Sequence, residues 1–179
     1  MNHDTANPAR DAEIVAFEAT WPRAMIAQGL AGPLAAMWVE SRSRAIQRGL
    51  PPFARHPMKD SIAEGLFHAR RAGRLVRGLE GAEASLAAQE AGLKKVESAR
   101  GVESRRISRL LIVSSDGSDR FFRQVEQVET RFARRLAVLV LECDEDELGS
   151  AAYGPGKKAR ALLIGHKDAV IRFLGLLDP

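Results

Sequence analysis

Several short stretches carry residues that could do chemistry. SSDGSD, Ser114 to Asp119, sets hydroxyls and carboxylates directly after the apolar run RLLIVSS. The end of a strand is a common place for a site in α/β proteins. Asp116 there would need a nucleophile and a proton carrier. His68 and His166 lie far apart in the chain, and Cys143 has no recognisable catalytic neighbour. Asp116 and Ser118 also suit a turn and a helix cap. Asp144, Glu145, Asp146 and Glu147 are a run of carboxylates without the alternating spacing and glycine of a calcium loop. At a helix start such charges are favourable in themselves. GPGKKAR, Gly154 to Arg160, resembles the end of a phosphate loop. However, Ala151 stands where its first glycine belongs, Lys158 replaces the hydroxyl residue, and an apolar strand follows instead of a helix. No nucleophile, base and orienter come together, so the chain reads as non-catalytic, with no metal and no cofactor. An α/β enzyme built on the Ser114–Asp119 loop is the weakest alternative.

The remaining chemistry is electrostatic. ARRAGRLVRG, Ala69 to Gly78, holds Arg70, Arg71, Arg74 and Arg77. If the whole stretch were helical, about 100° per residue would align them on one side. Alternatively, Gly73 stops the helix, the arginines before it suit the negative end of the helix dipole, and a short edge strand follows. Both readings keep the four guanidiniums near one another outside the core, where they could neutralise phosphates. Lys157, Lys158 and Arg160 would supply a second contact of the same kind.

The elements that must hold these residues are legible in the apolar pattern. The 179 residues carry a formal charge of +4, 45% hydrophobic and 28% charged residues, with a pI near 9.6. This is the composition of a globular domain, with a modest basic excess that suits a nucleic acid or another anionic partner. One cysteine excludes an internal disulfide framework and fits a reducing compartment. The opening MNHDTANPARDAE is polar, and no apolar run approaches the roughly 20 residues of a membrane span. The expected location is the cytoplasm. The first sixty residues read as helices broken by Pro22 and by Pro51-Pro52. PLAAMWVESRSRAIQR places Leu34, Met37, Trp38, Ser41 and Ala45 on one face, which should dock on a neighbour, and leaves Arg42, Arg44 and Arg48 to solvent.

From Pro57 onward helices and strands alternate. Helices are expected over MKDSIAEGLFHARRA, LEGAEASLAAQEAGLKK, DRFFRQVEQVETRFA, DEDELGSAAYG and HKDAVIRFLGLL. RLVR reads as a short edge strand. Leu110–Ser114, Leu136–Glu142 and Ala161–Ile164 are apolar without polar alternation, as expected of strands covered on both faces. They should be neighbours in one sheet. The fold class is therefore α/β: a three-layer α/β/α sandwich over residues 57–179, preceded by a helical N-terminal extension, residues 1–56, outside the sandwich core. The charged stretch from Gly92 to Arg106 either extends a helix or forms an insertion.

LFHARRAGRLVRGLEGAEASL, RLLIVSSDGSDRFFRQV and DEDELGSAAYGPGKKARALLIGHKDAV, taken in this order, resemble the L-seven-Ae type of ribosomal and kink-turn RNA-binding proteins, in particular its small bacterial members. The resemblance spans about residues 62–179. Its most specific pieces are ARRAGRLVRG and the Glu-Leu-Gly ahead of a glycine–lysine loop and strand. It implies a mixed central sheet and non-catalytic binding of structured RNA, with ribosomal RNA the first candidate. Kink-turn binders of this type carry Gly-x-Asn-Glu-x-x-Lys after the glycine turn. Here Gly78 matches, but Glu80 stands at the asparagine position, Gly81 at the glutamate and Ala84 at the lysine. The base-reading donors are absent and Glu80 adds a like charge to the RNA, so the resemblance carries phosphate contact without kink-turn specificity. The expected nucleic-acid surface is Arg70, Arg71, Arg74, Arg77, Gly78, Glu80, Lys157, Lys158 and Arg160. The rival reading is a protein-interaction adaptor of the same fold that has lost RNA binding and joins a partner or a second copy through the Trp38 face.

Overall fold

A computed structural model describes residues 8–100 and 105–177. The elements are α1 (Pro8–Glu18), α2 (Arg23–Ala27), α3 (Ala31–Gln47), β1 (Ala54–Pro57), α4 (Asp60–Arg71), β2 (Leu75–Arg77), α5 (Leu79–Arg100), β3 (Arg109–Ser114), α6 (Asp119–Arg131), β4 (Leu136–Glu142), α7 (Glu145–Tyr153), β5 (Ala161–Ile164) and α8 (Lys167–Leu174). One five-stranded sheet runs in the order β1-β4-β3-β5-β2. β1 and β3 pair parallel with β4, whereas β5 is antiparallel to both β3 and β2. The three apolar segments expected as neighbours are the adjacent strands β4, β3 and β5. The chain is an α/β/α sandwich with a mixed sheet and a helical N-terminal region.

Strand side chains alternate between faces, and here both faces are buried. Leu110, Ile112, Leu139, Leu141, Leu162 and Ile164 point to one layer, where Ile62 and Leu66 of α4, Leu148 of α7 and Phe173 of α8 meet them. Leu111, Val113, Val138, Val140 and Leu163 point to the other, against Ala82 and Leu86 of α5 and Phe122, Val125 and Val128 of α6. Ser118 caps α6, its hydroxyl accepting from the Phe121 N–H at 3.2 Å. Phe122 leads the α6 stripe into the core, and Phe121 is only half-buried. The helix expected to end near Lys95 continues to Arg100. The remainder of the charged stretch, residues 101–104, lies outside the described residues.

The N-terminal region is joined to this core. Trp21 is 0% exposed and Trp38 5%, and both belong to the same apolar cluster as Leu110 and Leu139. Their rings meet edge to face at 5.4 Å, with Phe17 5.1 Å from Trp21, a geometry favoured by the ring quadrupole. Ser41 of α3 holds β1: its hydroxyl donates to the Arg55 carbonyl at 2.8 Å and accepts from the Arg55 N–H at 2.7 Å. The expected docking face of α3 is thus seated on the chain's own first strand and tryptophan. This corrects the reading of the Trp38 face as a surface for a partner or a second copy, because that face is already covered. The boundary expected between His56 and Pro57 also falls inside β1, which pairs with β4 from Ala54 opposite Leu139 to Pro57 opposite Glu142. ARHP carried no strand signal, being short and ending in proline, which sheets admit at an edge.

Trp38→Ala should lower stability by about 3–5 kcal/mol, the range for deleting a buried large aromatic ring, measured by urea denaturation. A loss below about 1 kcal/mol would mean that α3 does not cover the sheet in solution.

Candidate nucleic-acid interface

ARRAGRLVRG is split between three elements. α4 ends at Arg71, the chain turns through Gly73, and Leu75–Arg77 form the edge strand β2. This is the second of the two sequence readings, so the four arginines do not share one helix side. The strand is held by β5, and its exit is fixed where the Gly78 N–H donates to the Ala161 carbonyl at 2.8 Å. Gly78 has φ +85°, a left-handed conformation that a side chain would strain. α5 starts in the next residue, leaving its first-turn N–H groups and the positive end of its dipole beside this turn.

The second wall is the loop from Gly154 to Arg160. Gly149 of α7 sits directly on it: a Cβ there would run into the Lys157 carbonyl and the Lys158 backbone. The Ala159 N–H donates to the Glu145 carbonyl at 2.8 Å, tying the loop to the start of the same helix. The Glu-Leu-Gly stretch is thereby explained by close approach. The Arg77 guanidinium reaches across and donates to the Lys158 carbonyl. At the end of α7, Tyr153 receives two guanidiniums, with Arg70 and Arg77 each 5.4 Å from its ring centroid. Such stacking is attractive because the ring face is electron-rich. Burial lifts the Tyr153 phenol above its ordinary pKa, against the opposing charge of Arg77 and Arg70.

The other predicted residues distribute unevenly. Arg71 stacks on Phe67, 5.8 Å from its ring, on the outer side of α4. Arg74 lines a separate groove against α8 with His166 and Arg172. Lys158 contacts Asp146 at 3.1 Å and Glu145 at 3.5 Å, and Arg160 contacts Glu145 at 2.9 Å. A hydrogen bond and the charge of Asp146 raise the Lys158 pKa. These two cations are locally balanced by the acidic start of α7. Lys157 is exposed, and so is Glu80 in the first turn of α5. The structure therefore brings together Arg70, Arg77, Gly78 and the 154–160 loop, and sets Arg71 and Arg74 apart. Tyr153, which organises the cluster, was missed. Its only signal was a lone aromatic residue ahead of a glycine loop.

SSDGSD is held by a closed set of bonds. The buried Ser114 hydroxyl donates to Asp116 Oδ1 at 2.6 Å, the Glu145 N–H donates to Asp116 Oδ2 at 3.2 Å, and Ser115 donates to the Cys143 carbonyl at 3.0 Å. Burial works to raise the Asp116 pKa, but the bonds from Ser114 and from the Glu145 and Asp116 N–H groups, with the Arg160 charge, hold it below the usual carboxylate value. Asp144 caps α7, accepting from the Glu147 N–H at 2.8 Å. Burial, reinforced by Glu147, Asp144 and Asp116, pushes the Cys143 thiol up to about 12. A thiol in that state is a poor nucleophile. These residues staple the ends of β3 and β4 to α7.

Gly149→Ala should destabilise the protein by about 1–3 kcal/mol or more, because the added methyl meets backbone that cannot swing away. Gly92→Ala, in open space on α5, should be neutral or stabilising by up to about 1 kcal/mol. Equal thermal midpoints for the two variants would contradict the close approach. Asp116 gives a pH test. Its lowered folded pKa adds stability above the unfolded value, and this contribution disappears as pH falls through the folded pKa. Asp116→Asn should therefore unfold earlier in urea at about pH 7, with the gap to wild type closing as the pH falls below the ordinary carboxylate range. A gap independent of pH would show that the charge contributes nothing.

No protein-family model matches the chain, and no curated protein matches it significantly. Among solved structures, the chain is similar to a protein of unknown function from Bacillus halodurans, at 17% identity and a TM-score of 0.44, over 66% of this chain and 97% of that one.

Proposed function

We propose that the chain is a non-catalytic RNA-binding protein of the L-seven-Ae type that grips phosphates where the β2–α5 turn meets the 154–160 loop. The observation that carries this reading is the pair of guanidiniums, Arg70 and Arg77, stacked on Tyr153 beside the start of α5 and exposed Lys157. Stacking fixes the direction of both arginines in advance, so less side-chain entropy is lost when a phosphate arrives. The nearby α5 N-terminus presents backbone donors to an anion. Gly78, without a side chain, lets an RNA backbone come close. The α/β/α sandwich with its mixed sheet is what the sequence resemblance implies, although many unrelated activities share such folds. The acidic start of α7 limits the contribution of Lys158 and Arg160, and Glu80 opposes base contacts. The proposed interface is accordingly small, phosphate-directed and weakly selective in sequence, with structured RNA as its ligand and the ribosome as its expected setting.

Phosphate contacts release counterions, so affinity for structured RNA should fall with salt by a log–log slope of about 0.7–0.9 per contact. Arg70→Ala with Arg77→Ala should weaken binding to unrelated structured RNAs by similar factors and make that slope shallower by about two contacts. Titrations at two salt concentrations read both quantities. Unchanged affinity and slope in the double variant would remove this surface from the reading. Absence of wild-type binding at low salt would overturn the RNA reading.

A further inference from the structure

α4 and α8 enclose a groove of about 450 Å³, within the size range of small-molecule sites. Its apolar lining comes from Ala69 of α4, from exposed Ala72 just past the end of that helix, and from Ala169, Phe173 and Leu176 of the C-terminal region. Its charged lining is two arginines, Arg74 and Arg172, and one carboxylate, Asp168. Arg74 is set beside the start of α8, where the Gly165 N–H donates to its carbonyl at 3.0 Å. Arg172 comes from the last turn of the same helix. The nearby carboxylates face imidazoles: Asp168 lies 4.0 Å from His166, and Glu64 lies 4.0 Å from His68. Arg74 and Arg172 enter no ion pair among the described residues.

Two guanidiniums that form no ion pair among the described residues outnumber the one carboxylate of this concavity, and their forked donors match the oxygens of a phosphate dianion. The apolar lining narrows the choice further. A phosphosugar would place hydroxyls over alanine and leucine, where they find no partners and lose their water. A ligand with a flat, weakly polar body keeps its apolar surface on that lining and its phosphate at the arginines. The exposed His68 ring, and the half-buried His166 ring through the nitrogen that does not cap α8, offer hydrogen bonds to the edge of such a body. We propose that the α4–α8 groove binds a phosphate monoester of nucleoside monophosphate size, with the phosphate between Arg74 and Arg172 and the base over Ala69, Ala72 and Ala169. The site is distinct from the Tyr153 surface and does not depend on the RNA reading. Its nucleotide comes either from the free pool or from the 5′-phosphorylated end of an RNA strand.

The full chain is titrated by calorimetry with adenosine 5′-monophosphate, adenosine and inorganic phosphate. Saturable binding is expected for the monophosphate, at least about tenfold tighter than for either fragment, since charge-assisted bonds and apolar contact act together. Arg172→Ala should weaken it by about tenfold or more. Ala72→Glu, which puts a carboxylate into the apolar lining, should abolish it with an unchanged thermal midpoint. Arg172→Ala should leave binding of a 5′-hydroxyl RNA unaltered, so failure here is separate from failure of the RNA surface. An Arg172-dependent preference for the 5′-phosphorylated form of the same RNA identifies the strand end as the source, and its absence identifies the free nucleotide. No saturable binding of the monophosphate overturns the site. So does equal affinity for inorganic phosphate, or a monophosphate affinity unchanged in Arg172→Ala.

Discussion

Two adjacent parallel strands with apolar side chains on both faces constrain the rest of this molecule. Leu110, Leu111, Ile112 and Val113 of β3 are all fully buried, as are Leu139, Val140 and Leu141 of β4. Each such side chain contributes about 1.5–3 kcal/mol only if its face is covered. One face is covered by α5 and α6. The other requires α4, α7 and α8, together with the tryptophans of the N-terminal region. A helical segment that could have been a free appendage is thus part of the covering layer. It also supplies the edge strand β1.

The same constraint pushes the polar chemistry to the margins of the sheet. The ends of β3 and β4 are closed by Ser114, Asp116 and Asp144, whose acceptors are taken up by hydroxyl and backbone donors. At the β2 edge, the sheet is narrow and covered by side chains that stay partly in water. Arg70, Arg77 and Tyr153 meet there. The tight seat of Gly149 on the 157–158 backbone determines where Tyr153 and Lys157 stand relative to the β2–α5 turn. Packing inside the sandwich and presentation of charge outside it are therefore linked through one contact. The acidic first turn of α7 has two effects: it favours the helix dipole, and it draws Lys158 and Arg160 away from solvent anions.

The central strands were legible because a buried strand must be apolar along its whole length, and RLLIVSS and LAVLVLEC leave little choice. The start of α6 was equally readable from the capping side chain of Ser118, and that of α7 from its acidic run. β1 was not, because four residues ending in proline have too few side chains to show a period. The fate of Trp38 was half legible: the spacing marks an apolar face, but the identity of what covers it is a tertiary fact. The candidate site followed the same division. Gly73 as a stop and Gly78 as a turn could be read locally. The separation of Arg74 from Arg77 depends on which way a three-residue strand turns them, and the pairing of Lys158 and Arg160 with Glu145 depends on a loop folding back on its own helix. No local pattern encodes either.

The proposed RNA surface is the junction of the β2–α5 turn with the 154–160 loop, and amide chemical-shift mapping with a structured RNA at low salt tests it directly. The largest shifts are expected at Gly78, Leu79 and Glu80 and between Tyr153 and Lys158, with the Ser114–Asp119 loop unmoved. Shifts confined to that loop, or spread over the α6 face with the β2–α5 turn silent, would contradict it.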